Sequence, residues 1–230
     1  MYCFPHSGAA AGEYLRWADA LPQVEVWGVT LPGHGPRLAE PPMADLVDLA
    51  AALVDEEAFV APFTLFGHSF GALLAYHVAQ ELREQGREQP ERLVLSAYPP
   101  PHIPRVAPPM SALPDEELVR AIGQFYGDMP PELTHDPELL ALVLPAYRAD
   151  IAALESYPGG SPPPLDRPLV VLGGDRDVYG RERLAEWARH TTAACRVHLF
   201  PGGHFYFREQ PEAMFEVLRD VLGAAQKGSA

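Results

Sequence analysis

Ser69 stands in Gly67-His68-Ser69-Phe70-Gly71, between the apolar run "FTLF" and the helical pattern "ALLAYHVAQEL". A serine held in a sharp strand-to-helix turn has an exposed hydroxyl, and glycines two places to either side remove side chains that would collide there. The chemistry open to such a serine is attack on an acyl carbon, because the free N–H groups and positive dipole end of the following helix face the charge that develops on the acyl oxygen. A hydroxyl is a weak nucleophile at neutral pH, so it needs a base, and the base needs an orienting acid. Of the nine histidines, His204 in "LFPGGHFYF" is the one that follows the last strand candidate on a glycine-rich loop. The acid candidates are Asp175 and Asp177 in "LVVLGGDRDVYG". The usual spacing of a glycine, two residues and then the acid fits Gly174 to Asp177, so Asp177 is favoured, and Asp175 is expected to hold the loop or pair with Arg176. An oxyanion needs two backbone donors. Phe70 supplies one, and the small-residue run in "CFPHSGAA" supplies the other through Ser7, with Gly8 the near alternative.

These side chains need a frame that carries them to one edge. Short β-rich runs alternate with longer helical patterns, as in a parallel sheet wrapped by helices. Strands are expected at Tyr2–Phe4, Val24–Thr30, Phe63–Phe66, Arg92–Ala97, Leu169–Leu172 and Arg196–Phe200. Helices are expected at Glu13–Ala20, Ala44–Phe59, Phe70–Glu84, Arg181–Arg189 and Pro211–Leu222. The interval 99–166 interrupts the alternation between the proline-rich stretches "AYPPPHIPRVAPPM" and "YPGGSPPPLDRP". It carries helical patterns at Asp115–Tyr126, with Leu118, Ile122 and Phe125 on one face, and at Pro137–Tyr157. A helical insertion hinged by prolines reads as a lid over the carboxyl edge of the sheet, where open α/β sheets place their sites. The whole is expected to be one α/β domain over residues 1–230, with a mostly parallel central sheet flanked by helices.

That frame is the α/β-hydrolase pattern, in which nucleophile, acid and histidine follow in that order on loops after strands. Ser69, Asp177 and His204 keep the order, whereas His6 and His68 come too early. His77 lies in a helix and is expected to be packed or half exposed; His34, His102, His135, His190 and His198 read as surface or structural residues.

With 230 residues, 47% of them hydrophobic, the chain can bury one substantial core. A net charge of −14 argues against nucleic acid or an anionic membrane as the main partner. No apolar run approaches the ~20 residues of a membrane span, and "MYCFPHSG" lacks the basic region of a signal peptide, so a cytoplasmic protein is expected, with a monomer as the default. Cys3 and Cys195 are too few for a disulfide framework and are expected as buried, reduced thiols.

Six segments, "CFPHSGAAAGEYLRW", "VTLPGHGPRLAEPP", "FGHSFGALLAYHVAQELR", "LPAYRADIAALESY", "LGGDRDVYG" and "FPGGHFYF", resemble successive signatures of the type II thioesterases, the stand-alone editing hydrolases of polyketide and nonribosomal peptide assembly lines. The resemblance implies hydrolysis of acyl groups from the phosphopantetheine arm of acyl or peptidyl carrier proteins, with no metal or other cofactor. Carried over by residue, it places the triad on Ser69, Asp177 and His204 and the oxyanion donors on Ser7 and Phe70. A small-molecule carboxylesterase or acyltransferase with the same triad is the alternative, and a non-catalytic binding module of the same fold is a further one. Two departures stand out. Members of that family have a further strand ahead of the "CFPH" segment, and they more often carry an arginine where this chain has His34, whose charge Arg37 is the candidate to replace. Carrier proteins are commonly acidic, so docking is expected to rely on apolar contacts from the lid edge, helped by the local positive charge of Arg105.

Overall fold

The runs of Leu, Val and Phe that read as strands form the middle of a six-stranded sheet, because each must bury both of its faces. In the computed structural model, which describes residues 1–56, 59–127 and 129–226, the strands are β1 (Tyr2–Phe4), β2 (Trp27–Gly28), β3 (Thr64–His68), β4 (Arg92–Ser96), β5 (Leu169–Gly174) and β6 (Cys195–Phe200). Their spatial order is β2-β1-β3-β4-β5-β6, and every neighbouring pair is parallel. Alternation sends Leu65, Leu93, Leu95 and Val171 to one face and Phe66, Val94, Val170 and Leu172 to the other, where separate apolar clusters cover them. Truncating a side chain as enclosed as Leu95, which is 0% exposed, is expected to cost about 2–5 kcal/mol.

The helices are α1 (Gly12–Leu15), α2 (Leu46–Glu56), α3 (Phe70–Glu84), α4 (Asp115–Tyr126), α5 (Pro131–Thr134), α6 (Pro137–Ser156), α7 (Gly180–Ala185), α8 (Tyr206–Glu209) and α9 (Pro211–Gln226). Helix α1 tightens into a 3-10 turn at Arg16–Asp19, and α7 into another at Glu186–His190, so the two longer helices expected there are each split. Helix α2 starts later than expected because the Asp45 carboxylate accepts the Val47 and Asp48 N–H groups and so caps it. Of its expected end, residues 57 and 58 lie outside the described residues, and Phe59 is not helical. The expected strand Val24–Thr30 shrinks to Trp27–Gly28, since its only neighbour, β1, is three residues long and offers no further ladder.

Between β4 and β5 lie α4, α5 and α6, which share an apolar cluster of their own built on Met110, Leu118, Ile122, Leu144 and Ile151. Phe125 is only partly buried beside it. Asp136 caps α6 through the Glu138 and Leu139 N–H groups, and Arg148 ties α6 to the start of α4 by donating to the Ser111 and Leu113 carbonyls and to Asp115. The chain leaves β1 for β2 on one side and returns to β3 on the other. The loops after β1 and β3 therefore meet at the point where the winding reverses, which is where a site belongs in an open sheet.

Candidate active site

Strand β3 runs directly into α3, and Ser69 is the residue of the turn. It adopts φ 56° and ψ −120°, a left-handed conformation that costs a non-glycine residue free energy and is held here by packing on every side. The flanking glycines are required by contact: a Cβ on Gly67 would lie 2.0 Å from the Gly71 carbonyl oxygen, and one on Gly71 would lie 2.2 Å from the Phe4 carbonyl oxygen. The Ser69 N–H donates to the Ser96 carbonyl at 2.8 Å, which pins the turn to the end of β4. Beneath it, the His68 Nδ1 is hydrogen-bonded to the Ser96 hydroxyl at 2.8 Å, and that hydroxyl to the Tyr206 hydroxyl at 2.8 Å.

His204 comes from the loop after β6, and Asp177 from the loop after β5. The His204 Nε2 lies 2.9 Å from the Ser69 Oγ, and its Nδ1 lies 3.0 Å from the Asp177 Oδ2. A carboxylate can only accept, so Nδ1 carries the proton and Nε2 is left to accept from the serine hydroxyl. Side-chain exposures of 3% for His204 and 1% for Asp177 keep this chain of bonds out of water. Asp175 faces elsewhere: its Oδ1 accepts the Gly202 N–H at 3.0 Å and so joins the loops after β5 and β6. Arg176 does not pair with it, but with Glu209 at 2.9 Å.

His6 and His68 surround the base without joining the bond chain. The His68 ring centre lies 5.1 Å from that of His204 and 5.9 Å from that of His6. Burial, followed by the charges of His204, His6 and Arg208, holds His68 well below the usual histidine range. Burial, then Arg208 and His204, does the same to His6. Both rings are therefore neutral at physiological pH.

Of the two donors expected for the oxyanion, Ser7 lies in the loop after β1 and Phe70 opens α3. Among the described residues neither the Ser7 N–H nor the Phe70 N–H has an intramolecular acceptor, whereas the Gly8 N–H donates to the Asp150 Oδ2 at 2.7 Å. Gly8, the alternative to Ser7, is thereby occupied. Asp150 belongs to the Arg148-Ala149-Asp150 element of α6, and its Oδ2 also faces the His34 Nε2 at 3.0 Å. His34 Nδ1 faces the Pro32 carbonyl at 3.0 Å. Arg37 plays no part here; it pairs with Glu40 and Glu56 on the surface, so the expected charge replacement falls to His34 itself. Burial opposes a charge on His34, but the hydrogen bond and charge of Asp150 outweigh it and raise the His34 pKa. Burial raises that of Asp150. This contact between α6 and the two loops that flank the serine was missed in the sequence because His34 and Asp150 lie 116 residues apart. The one available signal was the pair of motif positions, "PGHG" and "RAD", and nothing in their spacing says that they touch.

Arg105 is the clearest departure from expectation. It is not a surface charge: its side chain is 13% exposed and turned inward, lining the same small pocket as Ser69, Tyr126, Ile151 and His204. A larger cavity of about 310 Å³ lies on the other side of the Ser7–Gly8 loop and shares His6, Ser7, Tyr147 and Phe205 with the first. Of the remaining histidines, His135 is exposed and His198 half-buried, while three others pack within the fold. His77 bonds Tyr157, His102 stacks on the buried His190, and neither approaches the serine. Both cysteines are free; Cys3 is buried, which pushes its thiol up to about 12, while Cys195 is only half-buried.

A strained serine between two required glycines, a histidine within hydrogen-bond reach and a buried carboxylate behind it, on a parallel sheet with helices, define an α/β-hydrolase. The chain belongs to the thioesterase domain family, which it matches over residues 1–222, and it is a hydrolase of thioesters. It is similar to the thioesterase PikA5 of Streptomyces venezuelae, at 34% identity over 96% of this chain and 79% of that one. Among solved structures it resembles the type II thioesterase BorB from the borrelidin biosynthetic cluster, with 35% identity, 95% and 90% of the two chains covered and a TM-score of 0.85. The RedJ thioesterase from the prodiginine pathway of Streptomyces coelicolor superposes with a TM-score of 0.87 at 32% identity, over 94% of this chain and 87% of that one.

Proposed function

We propose that this thioesterase removes acyl groups from the phosphopantetheine arm of acyl or peptidyl carrier proteins, and so clears stalled or aberrant units during polyketide or nonribosomal peptide synthesis. The observation that carries the reading is the continuous hydrogen-bond chain Asp177–His204–Ser69 beneath a helical insertion, in a chain whose relatives are type II thioesterases. Ser69 attacks the thioester carbonyl while His204 Nε2 takes its proton. The negative oxygen is held by the N–H groups of Ser7 and Phe70, and the His204 imidazolium, steadied by Asp177, returns the proton to the departing pantetheine thiolate. A water molecule, deprotonated by His204, then releases the acyl group as a carboxylic acid and restores the serine. The interval 99–166 serves as the lid in this reading, and the cavity of about 310 Å³ that shares His6, Ser7, Tyr147 and Phe205 with the catalytic pocket is the route assigned to the pantetheine arm.

The test is intact-mass analysis of acyl-loaded carrier protein incubated with wild type and with Ser69→Ala. Deacylation by wild type alone is the expected result. Deacylation by both, or by neither, removes the reading. Fast turnover of free esters with indifference to the carrier domain points instead to a small-molecule esterase.

A further inference from the structure

The guanidinium of Arg105 stands in the wall of the catalytic pocket, and its donors are unevenly used. Its Nη1 donates to the Ala107 carbonyl at 2.9 Å and the Pro108 carbonyl at 3.1 Å, which fixes the plane of the group. Its Nε and Nη2 are buried and have no hydrogen-bond acceptor among the described residues. The nearest carboxylate, Glu155, lies 3.7 Å from Nη1, beyond hydrogen-bond reach. That carboxylate is already engaged: Oε1 accepts the Met110 and Ser111 N–H groups, and Oε2 the Ser111 hydroxyl. Glu155 thus balances the charge of Arg105 without occupying its free donors. The Tyr126 phenol stands beside the guanidinium, in polar contact with it but outside the geometry of a full hydrogen bond, and its ring centre is 4.8 Å from that of His204.

Buried donors are nearly always paired, and a buried guanidinium is costly to leave otherwise. Of the other residues in the pocket wall, Ile151, Leu154 and Phe205 carry no side-chain acceptor, and the polar ones, Tyr126 and Tyr147 among them, make no hydrogen bond to its Nε or Nη2. A thioester seated at Ser69 brings its acyl chain into this pocket, so an acceptor on that chain is the group able to complete Arg105.

We propose that Arg105 is a specificity-determining residue that recognises a hydrogen-bond-accepting oxygen, carried as hydroxyl, ketone or carboxylate, on the acyl group held at Ser69. The inference rests on Ser69 acting as the nucleophile. A plain hydrocarbon acyl chain leaves the donors unmatched; an oxygenated one satisfies them with a charge-assisted bond, for which a preference of ~10- to 100-fold in kcat/KM is expected.

The experiment compares butyryl, 3-hydroxybutyryl, acetoacetyl and malonyl thioesters of N-acetylcysteamine as substrates for wild type, Arg105→Met, Arg105→Lys and Ser69→Ala. The quantity read is the ratio of kcat/KM for each oxygenated thioester to that for butyryl, so a general loss of activity cancels. In wild type at least one ratio is expected to reach ~10 or more, with the malonyl arm separating recognition of a carboxylate from that of a neutral oxygen. Arg105→Met is expected to bring that ratio to about one, and Arg105→Lys, which keeps a charge but loses the fork of donors, to an intermediate value. Ratios that are flat in wild type, or unchanged in both variants, overturn the proposal while Ser69-dependent butyryl hydrolysis leaves the thioesterase reading standing. If the methionine variant does not fold, the lysine ratio alone decides in the same way. Wild type that hydrolyses none of the four acyl groups, either as free thioesters or loaded on a carrier protein, defeats both.

Discussion

Among the described residues two buried aspartate–histidine pairs have the same length, and their surroundings differ. Asp177 and His204 are 3.0 Å apart, as are Asp150 and His34, and all four side chains are at most 3% exposed. What separates them is the third partner. His204 Nε2 faces a serine hydroxyl, which can either donate to the ring or accept from it. His34 Nδ1 faces the Pro32 carbonyl, which can only accept. With the Pro32 carbonyl on one nitrogen and Asp150 on the other, the charged form of His34 is favoured, in line with its raised pKa. The same pair of residue types thus stands against a serine hydroxyl in one place and clasps separate segments together in the other. An arginine at this position would make the same clasp with a charge that does not titrate in the accessible pH range.

The two pairs can be separated by experiment, beginning with the largest effect. Ser69→Ala is expected to lower kcat on the order of 10⁴-fold or more, read as thioester hydrolysis under saturating substrate. Asp177→Asn comes next: it leaves the shape but presents the wrong tautomer to His204, with a loss of about 10³- to 10⁴-fold, whereas Asp175→Asn, at the neighbouring loop position, is expected to cost less than tenfold. Equal losses at the two positions would show that the loop rather than the orienting bond matters.

Asp150→Asn tests the clasp. The Gly8 N–H is expected to lose its charged acceptor, the loop carrying Ser7 loosens, and kcat falls by about 10- to 100-fold with little change in KM, because the lost contact matters most when the oxyanion forms. Binding of a trifluoromethyl ketone, which mimics that oxyanion, should weaken in parallel; a fall in thermal stability with the ketone still bound tightly would mean a purely structural role. His34→Arg is expected to retain most of the activity that Asp150→Asn loses.

The smallest effect is one of pH. His34 has a raised pKa in the folded protein, so the folded state binds its proton more tightly than the unfolded chain, and the stability this contributes is present in full below the ordinary histidine value. It is lost as pH rises through the folded value. Asp150, also raised, acts in the same direction at lower pH. Buried His68 and His6 are shifted the other way, so their neutral forms favour folding and their contribution is lost as pH falls below the usual histidine range. Urea unfolding across pH 6 to 9 is therefore expected to show wild type losing more stability on the alkaline side than His34→Gln, and identical profiles would count against a charged clasp.

Much of the frame was legible in the chain itself. The fully apolar strands announce burial on both faces, and the glycines around Ser69 announce a turn too tight for side chains, since period and sterics act between near neighbours. Element ends were less legible: Asp45 shortens α2 and the brevity of β1 limits β2, and each depends on a bond to a particular atom. Arg105 shows the sharper limit. A lone arginine among prolines reads as a solvated charge, and its inward turn follows from carbonyls at Ala107 and Pro108 that hold its guanidinium against the pocket.

By itself, then, the sequence determined the parallel α/β frame, the strained serine and the chain order of the aspartate and histidine that meet it, because these follow from patterns local to each segment. Only the tertiary structure decided that Asp177 rather than Asp175 meets His204, that Asp150 clasps His34 and the Gly8 N–H, and that Arg105 faces the serine. Each of those outcomes turns on which of several chemically equal side chains is delivered to a given point by segments far apart in the chain, and hydrogen bonding selects among them only once packing has brought them within about 3 Å.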